Sequence, residues 1–308
     1  MILDLLQSEL ALNMKNNWDA GPLDLSVILI TLNEGHHLRE TLDNLKHFAK
    51  EVFIIDSFSV DDTVNIALEY GVNISQRKFK GFGDQWNFAL QNCKIKTKWT
   101  MKLDPDERIT QDLKISIGNA IQNNNLIGYF LVRNLCFMGK RLPVKQKILR
   151  IWMTGYCKFS DVAVNEYPIV NGKIGNLKGS LDHFDSPNLH HWILKQNNYT
   201  TAEAAWQFNK GQLSASPILF GNKLERRMWL KKFFWKLPFR YNLLFIYHYI
   251  FLRAFTAGKQ GYYWSVLRTF VYRQWEIKFF EMNLTDSVYK IYKDMPGIPD
   301  PRIYQHKA

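Results

Sequence analysis

Trp99-Thr100-Met101-Lys102-Leu103-Asp104-Pro105-Asp106-Glu107 joins a short apolar run to a pair of aspartates. Trp99 to Leu103 predicts a buried strand, and the chain leaves it directly into Asp104-Pro105-Asp106. Asp and Pro by themselves favour a turn with solvated acids. At the end of a buried strand, two carboxylates one residue apart can jointly reach a hard cation such as Mg²⁺ or Mn²⁺. Such a cation neutralises a departing diphosphate as a Lewis acid.

The same pattern, an apolar run ending in polar groups, occurs twice upstream. Val27-Ile28-Leu29-Ile30 reads as a strand buried on both faces, ending at Thr31-Leu32-Asn33-Glu34. Leu38, Leu42 and Leu45 then share one face of a helix. Val52-Phe53-Ile54-Ile55 is a second such strand and closes on Asp56. Asp61 and Asp62 follow, where a helix N-terminus welcomes negative charge, and Val64, Ala67 and Leu68 line that helix. A third strand is expected at Val72 to Ile74, a helix at Asp112 to Ile121, and a strand at Ile127 to Val132. Strands separated by helices of this length predict an α/β, mainly parallel sheet with right-handed crossovers. Asn33, Asp56 and Asp104 then gather past the carboxyl ends of three strands, the edge where open α/β sheets bind ligands.

At that edge Asp56 can accept a hydrogen bond from uracil or ribose, while Asp61 and Asp62 also suit plain helix capping. Phe79-Lys80-Gly81-Phe82-Gly83-Asp84-Gln85-Trp86-Asn87 is a glycine-bearing loop entering a helix. Its glycines let backbone approach a ligand, and a helix start suits phosphate. Trp86 stands where G-x-G-x-x-G needs its third glycine, which argues against a dinucleotide-dependent dehydrogenase. Gly172, Gly175 and Gly179 read as a turn-rich stretch.

These four segments, in this order, resemble the family 2 glycosyltransferases of the GT-A fold. Within them the chain is most similar to the lipopolysaccharide-core β-1,4-glucosyltransferase-like group, over about Ser26 to Ala205. The resemblance implies an inverting hexosyltransferase using a nucleotide sugar, usually UDP-linked, with Mg²⁺ or Mn²⁺. It implies that Thr31, Asn33, Glu34 and Asp56 face the nucleoside, that Gln85 and Asn87 lie near ribose or diphosphate, and that Asp104 and Asp106 hold the metal. Two positions depart from the family pattern: Phe58 replaces a small residue, and Pro105 replaces the more usual Ala. An inverting transfer needs a carboxylate to take the acceptor proton. Val164-Asn165-Glu166 resembles the group's Val-His-Glu element, which makes Glu166 the expected base and Asp161 its alternative. Arg150 matches an arginine placed near acceptor or diphosphate, against the plain reading of a sheet-edge charge. His183 is a candidate to complete the metal shell. His36-His37 and His190-His191 read as helix-surface residues.

Composition bounds the rest. The chain has 308 residues, 46% hydrophobic and 22% charged, which excludes wholesale disorder. A net charge of +12 favours anionic partners. Cys93, Cys136 and Cys157 are scattered and form no C-x-x-C pair, which fits a reducing compartment. Met1 to Leu12 carries Asp4 and Glu9 and lacks the basic start of a secretory signal. No apolar run reaches the roughly 18 residues of a spanning helix.

From Phe220 to Met282 there are twelve Lys/Arg against three Glu, interleaved with aromatics such as Met228-Trp229-Leu230-Lys231-Lys232-Phe233-Phe234-Trp235-Lys236. Arg268, Tyr272, Trp275 and Phe279 recur at helical intervals. Such helices either lie in an acidic membrane surface or pack on a catalytic domain. The sequence thus predicts a GT-A domain over residues 24–210 and a basic, aromatic, helical extension over 211–308. A cytoplasmic position, peripheral on the inner face of the cytoplasmic membrane, is expected. The expected partners are a UDP-sugar donor, a lipid-linked or core oligosaccharide acceptor of lipopolysaccharide or a related surface polysaccharide, and an acidic membrane surface. A basic nucleic-acid-binding protein is the rival from another class, but it leaves the acidic strand ends unexplained. A sugar nucleotidyltransferase would carry a glycine-rich loop where Thr31-Leu32-Asn33-Glu34 stands.

Overall fold

The computed structural model describes residues 10–12, 17–122, 126–160, 167–209, 216–221 and 223–288. Asp161 and Glu166 lie outside the described residues.

Strand β2 (Leu23–Thr31) shows why its run is apolar throughout. Leu25, Val27 and Leu29 pack into one cluster, while Ile28 and Ile30 pack into another on the opposite face of the sheet. Strand β3 (Ala49–Asp56) divides in the same way, with Val52 and Ile54 on one face and Phe53 and Ile55 on the other. Helix α1 (Gly35–Leu45) covers the first face with Leu38, Leu42 and Leu45, all fully buried. Burying each is worth about 1.5–3 kcal/mol. Helix α2 (Thr63–Glu69) and strand β4 (Asn73–Gln76) complete the first half. Helix α3 (Phe82–Asn92) lays Trp86 and Ala89 on the second face, with Trp152 and Phe159.

Strand β5 (Trp99–Lys102) returns to the other side of β2, so the sheet reads β4-β3-β2-β5 with every pair parallel. The reversal of strand order beside β2 opens a crevice at the strands' carboxyl ends. Past β5 the sheet becomes mixed. Strands β6 (Glu107–Ile109), β7 (Gly128–Phe137), β8 (Lys140–Met153) and β11 (Ile174–His183) extend it in the order β5-β8-β7-β11-β6, and β1 (Leu10–Leu12) pairs antiparallel with β4 at the far edge. Strands β9 (Cys157–Phe159) and β10 (Pro168–Val170) form a separate antiparallel pair. Helix α4 (Gln111–Ala120) sends Leu113 and Ile117 into the first cluster, and its N-cap Thr110 accepts from the Leu113 amide.

The glycines near residue 175 do not form the expected turn-rich stretch. Gly175 and Gly179 lie inside β11, where the register with β7 shifts between Asn176 and Ser180. Gly179 has φ +81, and a Cβ there would stand 2.4 Å from the Leu113 amide nitrogen, so only glycine lets α4 approach the strand.

The chain divides into two compact units. The first contains the sheet up to Cys136 and Lys145–Pro187, and the second contains the hairpin tip Phe137–Val144 and the described residues from Asn188 onward. The division therefore falls at Pro187, ahead of the expected position near residue 210. Helix α5 (Leu189–Phe208) belongs to the second unit rather than to the catalytic domain in which the sequence places it. Its inward residues are largely polar (Gln196, Asn198, Thr200, Thr201) and carry no apolar signal of what the helix packs against.

In the second unit α5 is followed by α6 (Lys223–Phe233), α7 (Arg240–Ile246), a π-helical turn at Tyr247–Phe251 and the long α8 (Lys259–Thr285). Ala204 of α5 packs with Trp275 and Met282 of α8, and Trp235, Tyr272 and Phe279 join them. Lys278 Nζ donates to Asn197 O at 2.6 Å, Thr200 Oγ1 at 2.9 Å and Thr201 Oγ1 at 2.7 Å. The face marked in the sequence by Tyr272, Trp275 and Phe279 is thus an internal one. The expectation of a mainly parallel α/β sheet followed by a helical C-terminal region holds.

Candidate active site

Parallel pairing sets Thr31 opposite Asp56 at the ends of β2 and β3. Asp56 is fully buried, and its carboxylate accepts from Thr31 Oγ1 (2.8 Å), the Ser59 amide (2.8 Å), the Ser59 hydroxyl and Gln76 Nε2 (2.8 Å). Those four contacts fill its acceptor positions. Asp56 thereby fixes the loop after β3, and a nucleoside donor reaching it must displace one of these partners. Asn33 sits at φ 56, a conformation that Asn tolerates. Its amide donates to Ser59 Oγ, and its Oδ1 accepts from Val60 N at 2.9 Å, which stitches the loops after β2 and β3 together. The Glu34 amide donates to Thr63 Oγ1 at 2.8 Å. Asp61 takes the Gly35 and Thr63 amides, both at 3.0 Å, so one carboxylate serves the start of α1 and of α2.

Gln85 on α3 is fully buried and donates to Ser57 Oγ at 3.3 Å, while its Oε1 has no partner among the described residues. Asn87 is committed elsewhere: its side chain bonds both backbone groups of Phe159 and ties β9 to α3. Phe58, the departure from the family pattern, is held at φ 61, which is costly for a bulky residue.

The Asp104-Pro105-Asp106 turn is anchored through Arg108. Its guanidinium donates to Thr41 Oγ1 (2.7 Å), Pro105 O (2.9 Å), His37 O (3.0 Å) and Glu40 Oε2 (3.1 Å), tying the turn to α1. This also corrects the reading of His37 as a surface residue, since it is buried beneath that contact. Behind the turn lies a charge-balanced group of two carboxylates and two guanidiniums. Arg150 NH2 is 2.6 Å from Asp104 Oδ2 and 2.7 Å from Glu107 Oε1. Arg133 NH1 is 3.1 Å from Glu107 Oε1 and 3.7 Å from Asp104 Oδ2. Burial alone would raise the Asp104 pKa, but Arg150, with Lys102 and Arg133, outweighs it and holds the carboxyl below the usual range. Lys102 also lies 4.3 Å from the centre of the Trp86 ring.

Antiparallel pairing sets His183 of β11 opposite Glu107 of β6, which brings it beside Asp106. His183 Nε2 lies 3.1 Å from Asp106 Oδ2 and 4.0 Å from Asp185 Oδ1. Burial would lower the His183 pKa, but the charge and hydrogen bond of Asp106 raise it overall. One donor atom from each of Asp106, His183 and Asp185 lies within 4.8 Å of the others. Adjacent donors around a six-coordinate cation at about 2.1 Å stand about 3 Å apart; the 3.1 Å Asp106–His183 pair meets that spacing, and the 4.0 Å His183–Asp185 pair would have to close by about 1 Å to share a small divalent ion. Two carboxylates with one imidazole suit Mn²⁺.

The structure thus brings together Asp106 and His183 and adds Asp185, which no sequence motif singles out. Asp104 instead faces Arg150 and Arg133. Glu107 and Arg133 are further site residues absent from the sequence-based expectation, although Glu107 directly follows Asp104-Pro105-Asp106.

Residues 26–178 match the model of the family described as Glycosyl transferase family 2. Over that segment the chain belongs to this family. A lipopolysaccharide core biosynthesis glycosyltransferase, LpsC, of Rhizobium meliloti is 27% identical over 202 residues, covering 62% of this chain and 74% of its own length. An uncharacterized glycosyltransferase, RP128, of Rickettsia prowazekii is 24% identical over 196 residues, or 58% of this chain and 66% of that protein, just under two thirds of it. Among solved structures, S. aureus TarS 1–349 in complex with UDP-GlcNAc is 16% identical with a TM-score of 0.44, covering 88% of this chain and 94% of that one.

Proposed function

We propose that this chain transfers a hexose from a UDP-linked donor, with inversion, to a core oligosaccharide or lipid-linked glycan of lipopolysaccharide or a related surface polysaccharide. The observation that carries the reading is the Asp106, His183 and Asp185 donor set, built at the ligand-binding edge of a family 2 domain. The Rhizobium relative named for lipopolysaccharide core biosynthesis supports the acceptor class.

In this reading Asp106, His183 and Asp185 hold Mn²⁺ or Mg²⁺, which supplies positive charge to the departing diphosphate. Asp104, kept ionised by Arg150 and Arg133, lies next to that set. Gln85, with its unpartnered buried Oε1, accepts from a ribose or sugar hydroxyl. Thr31, Asn33, Glu34 and Asp56 shape the nucleoside end. The acceptor oxygen attacks the anomeric carbon, the bond from that carbon to the UDP oxygen breaks, and the acceptor proton passes to a carboxylate. Glu166 is the base that the family resemblance implies, with Asp161 the alternative. The protein works peripherally at the inner face of the cytoplasmic membrane, where a lipid-linked acceptor is presented.

The test is UDP release from a panel of UDP-hexoses with Mn²⁺, comparing wild type with Asp106→Asn and Glu166→Gln. The proposal expects slow hydrolysis of one donor that Asp106→Asn abolishes, and acceptor-dependent transfer that Glu166→Gln lowers by about two orders of magnitude or more. Equal UDP release by wild type and Asp106→Asn would remove the metal assignment.

A further inference from the structure

Helix α8 is apolar on two opposite sides. At about 100° per residue, Trp264, Val271, Trp275 and Met282 fall on the buried face. Tyr263, Val266, Phe270, Ile277, Phe280 and Leu284 fall on the other side and are exposed, from 40% at Val266 to 75% at Leu284. Within this helix of 27 residues the stripe from Tyr263 to Leu284 runs for about 30 Å. An apolar face of that length is not what a solvated helix presents.

The segment from α7 into the π-helical turn repeats the arrangement. Phe245 and Tyr249 pack on Tyr262, which is itself 45% exposed, and His248 turns inward against the buried Trp264. The residues at helical spacing on the outer side are Phe239, Leu243, Tyr247 and Ile250, with Phe251 beside them. Phe239 is 81% and Phe251 73% exposed.

Charge identifies what covers these faces. From Arg226 to Leu284, the span that carries both faces, the chain has eleven Lys or Arg against two Glu, of which Glu276 pairs with Arg240. A second copy of the chain would bring the same positive charge against itself. A nucleic acid strand would stack on aromatic rings but gains nothing from Val266, Ile277 or Leu284. An anionic bilayer surface meets both requirements, receiving apolar side chains at its acyl boundary and basic groups at its head groups. No described helix is long and apolar enough to cross a membrane.

We propose that the outer faces of α7, its π-helical turn and α8 form an interfacial membrane-binding surface selective for anionic lipid. This deepens the proposed peripheral placement and names the surface that carries it. It does not depend on the transferase chemistry, because vesicle binding needs no nucleotide sugar.

The test is co-sedimentation of the full chain with phosphatidylcholine vesicles and with three-to-one phosphatidylcholine–phosphatidylglycerol vesicles. Wild type is compared with Phe239→Asp, Phe251→Asp, Phe280→Asp and, as a control in the first unit, the exposed Ile115→Asp. Wild type binds the anionic vesicles, weakens as salt rises, and leaves neutral vesicles largely in solution. Each Phe→Asp change lowers partitioning by about tenfold or more, and Ile115→Asp has no effect. Circular dichroism and thermal melts identify the variants that fold, and only their partitioning is compared with wild type. The proposal is overturned if wild type ignores anionic vesicles or if all folded Phe→Asp variants bind like wild type. It is also overturned if light scattering shows a dimer that Phe280→Asp splits, or if oligonucleotide binding is what the variants lose.

Discussion

Glu107 is the buried hinge of the charge group behind the Asp104-Pro105-Asp106 turn, and replacing it by Gln is the most informative single change. Glu107 is fully buried, with Oε1 accepting from Arg150 at 2.7 Å and Arg133 at 3.1 Å and Oε2 from the Asp104 amide at 3.0 Å. Glutamine keeps the shape but removes the charge, leaving two guanidiniums opposite one carboxylate. If its carbonyl faces the arginines, its NH₂ faces the Asp104 N–H, donor against donor, which costs about 1–3 kcal/mol. Breaking a buried ion pair outright costs about 3–5 kcal/mol, and the isostere keeps part of the hydrogen bonding. About 3 kcal/mol is therefore expected, a Tm lower by roughly 6–12 °C for a unit of this size. Thermal unfolding followed by circular dichroism reads it directly. Adding Arg133→Met to Glu107→Gln restores the balance of charge and recovers part of the loss. A shift below about 2 °C would refute the reasoning, since the four groups would then not act as a charge-balanced unit.

Other perturbations follow from single contacts. Arg108→Leu frees the turn from α1 and weakens Mn²⁺-dependent UDP binding by about tenfold or more, read by calorimetry. Gly179→Ala forces a Cβ onto the Leu113 backbone at a positive φ and costs about 3 kcal/mol or more, seen as loss of folded protein or a much lower Tm. His248 is buried against Trp264, and burial, with Arg268 nearby, lowers its pKa from 6.5 to about 4. The unfolded chain therefore binds a proton between those values that the folded one refuses. Stability falls as pH drops from about 6.5 to about 4, by up to about 3 kcal/mol, and His248→Phe flattens that part of a melting-temperature profile.

The parallel half of the sheet was legible because β2 and β3 are buried on both faces, so every residue of Val27–Ile30 and Val52–Ile55 is apolar. The strand-end acids were legible for the same reason, standing out at the end of each run. Asp185 and Arg133 were not, because their place depends on β11 pairing antiparallel with β6 and parallel with β7 across many tens of residues, and no local pattern encodes that. The division at Pro187 was hidden by the polar inner face of α5, whose Gln, Asn and Thr residues give no apolar period. In α8 apolar residues occupy both sides, so the sequence marked the helix but not which face is covered.

Calorimetric titration of UDP into the wild-type chain and Asp106→Asn, each with and without Mn²⁺, tests the central claim most directly. The account predicts UDP binding that Mn²⁺ strengthens in the wild type and does not strengthen in Asp106→Asn. Tight UDP binding indifferent to Mn²⁺ and to Asp106 would contradict the metal-assisted site, and no UDP binding in any condition would contradict the donor assignment itself.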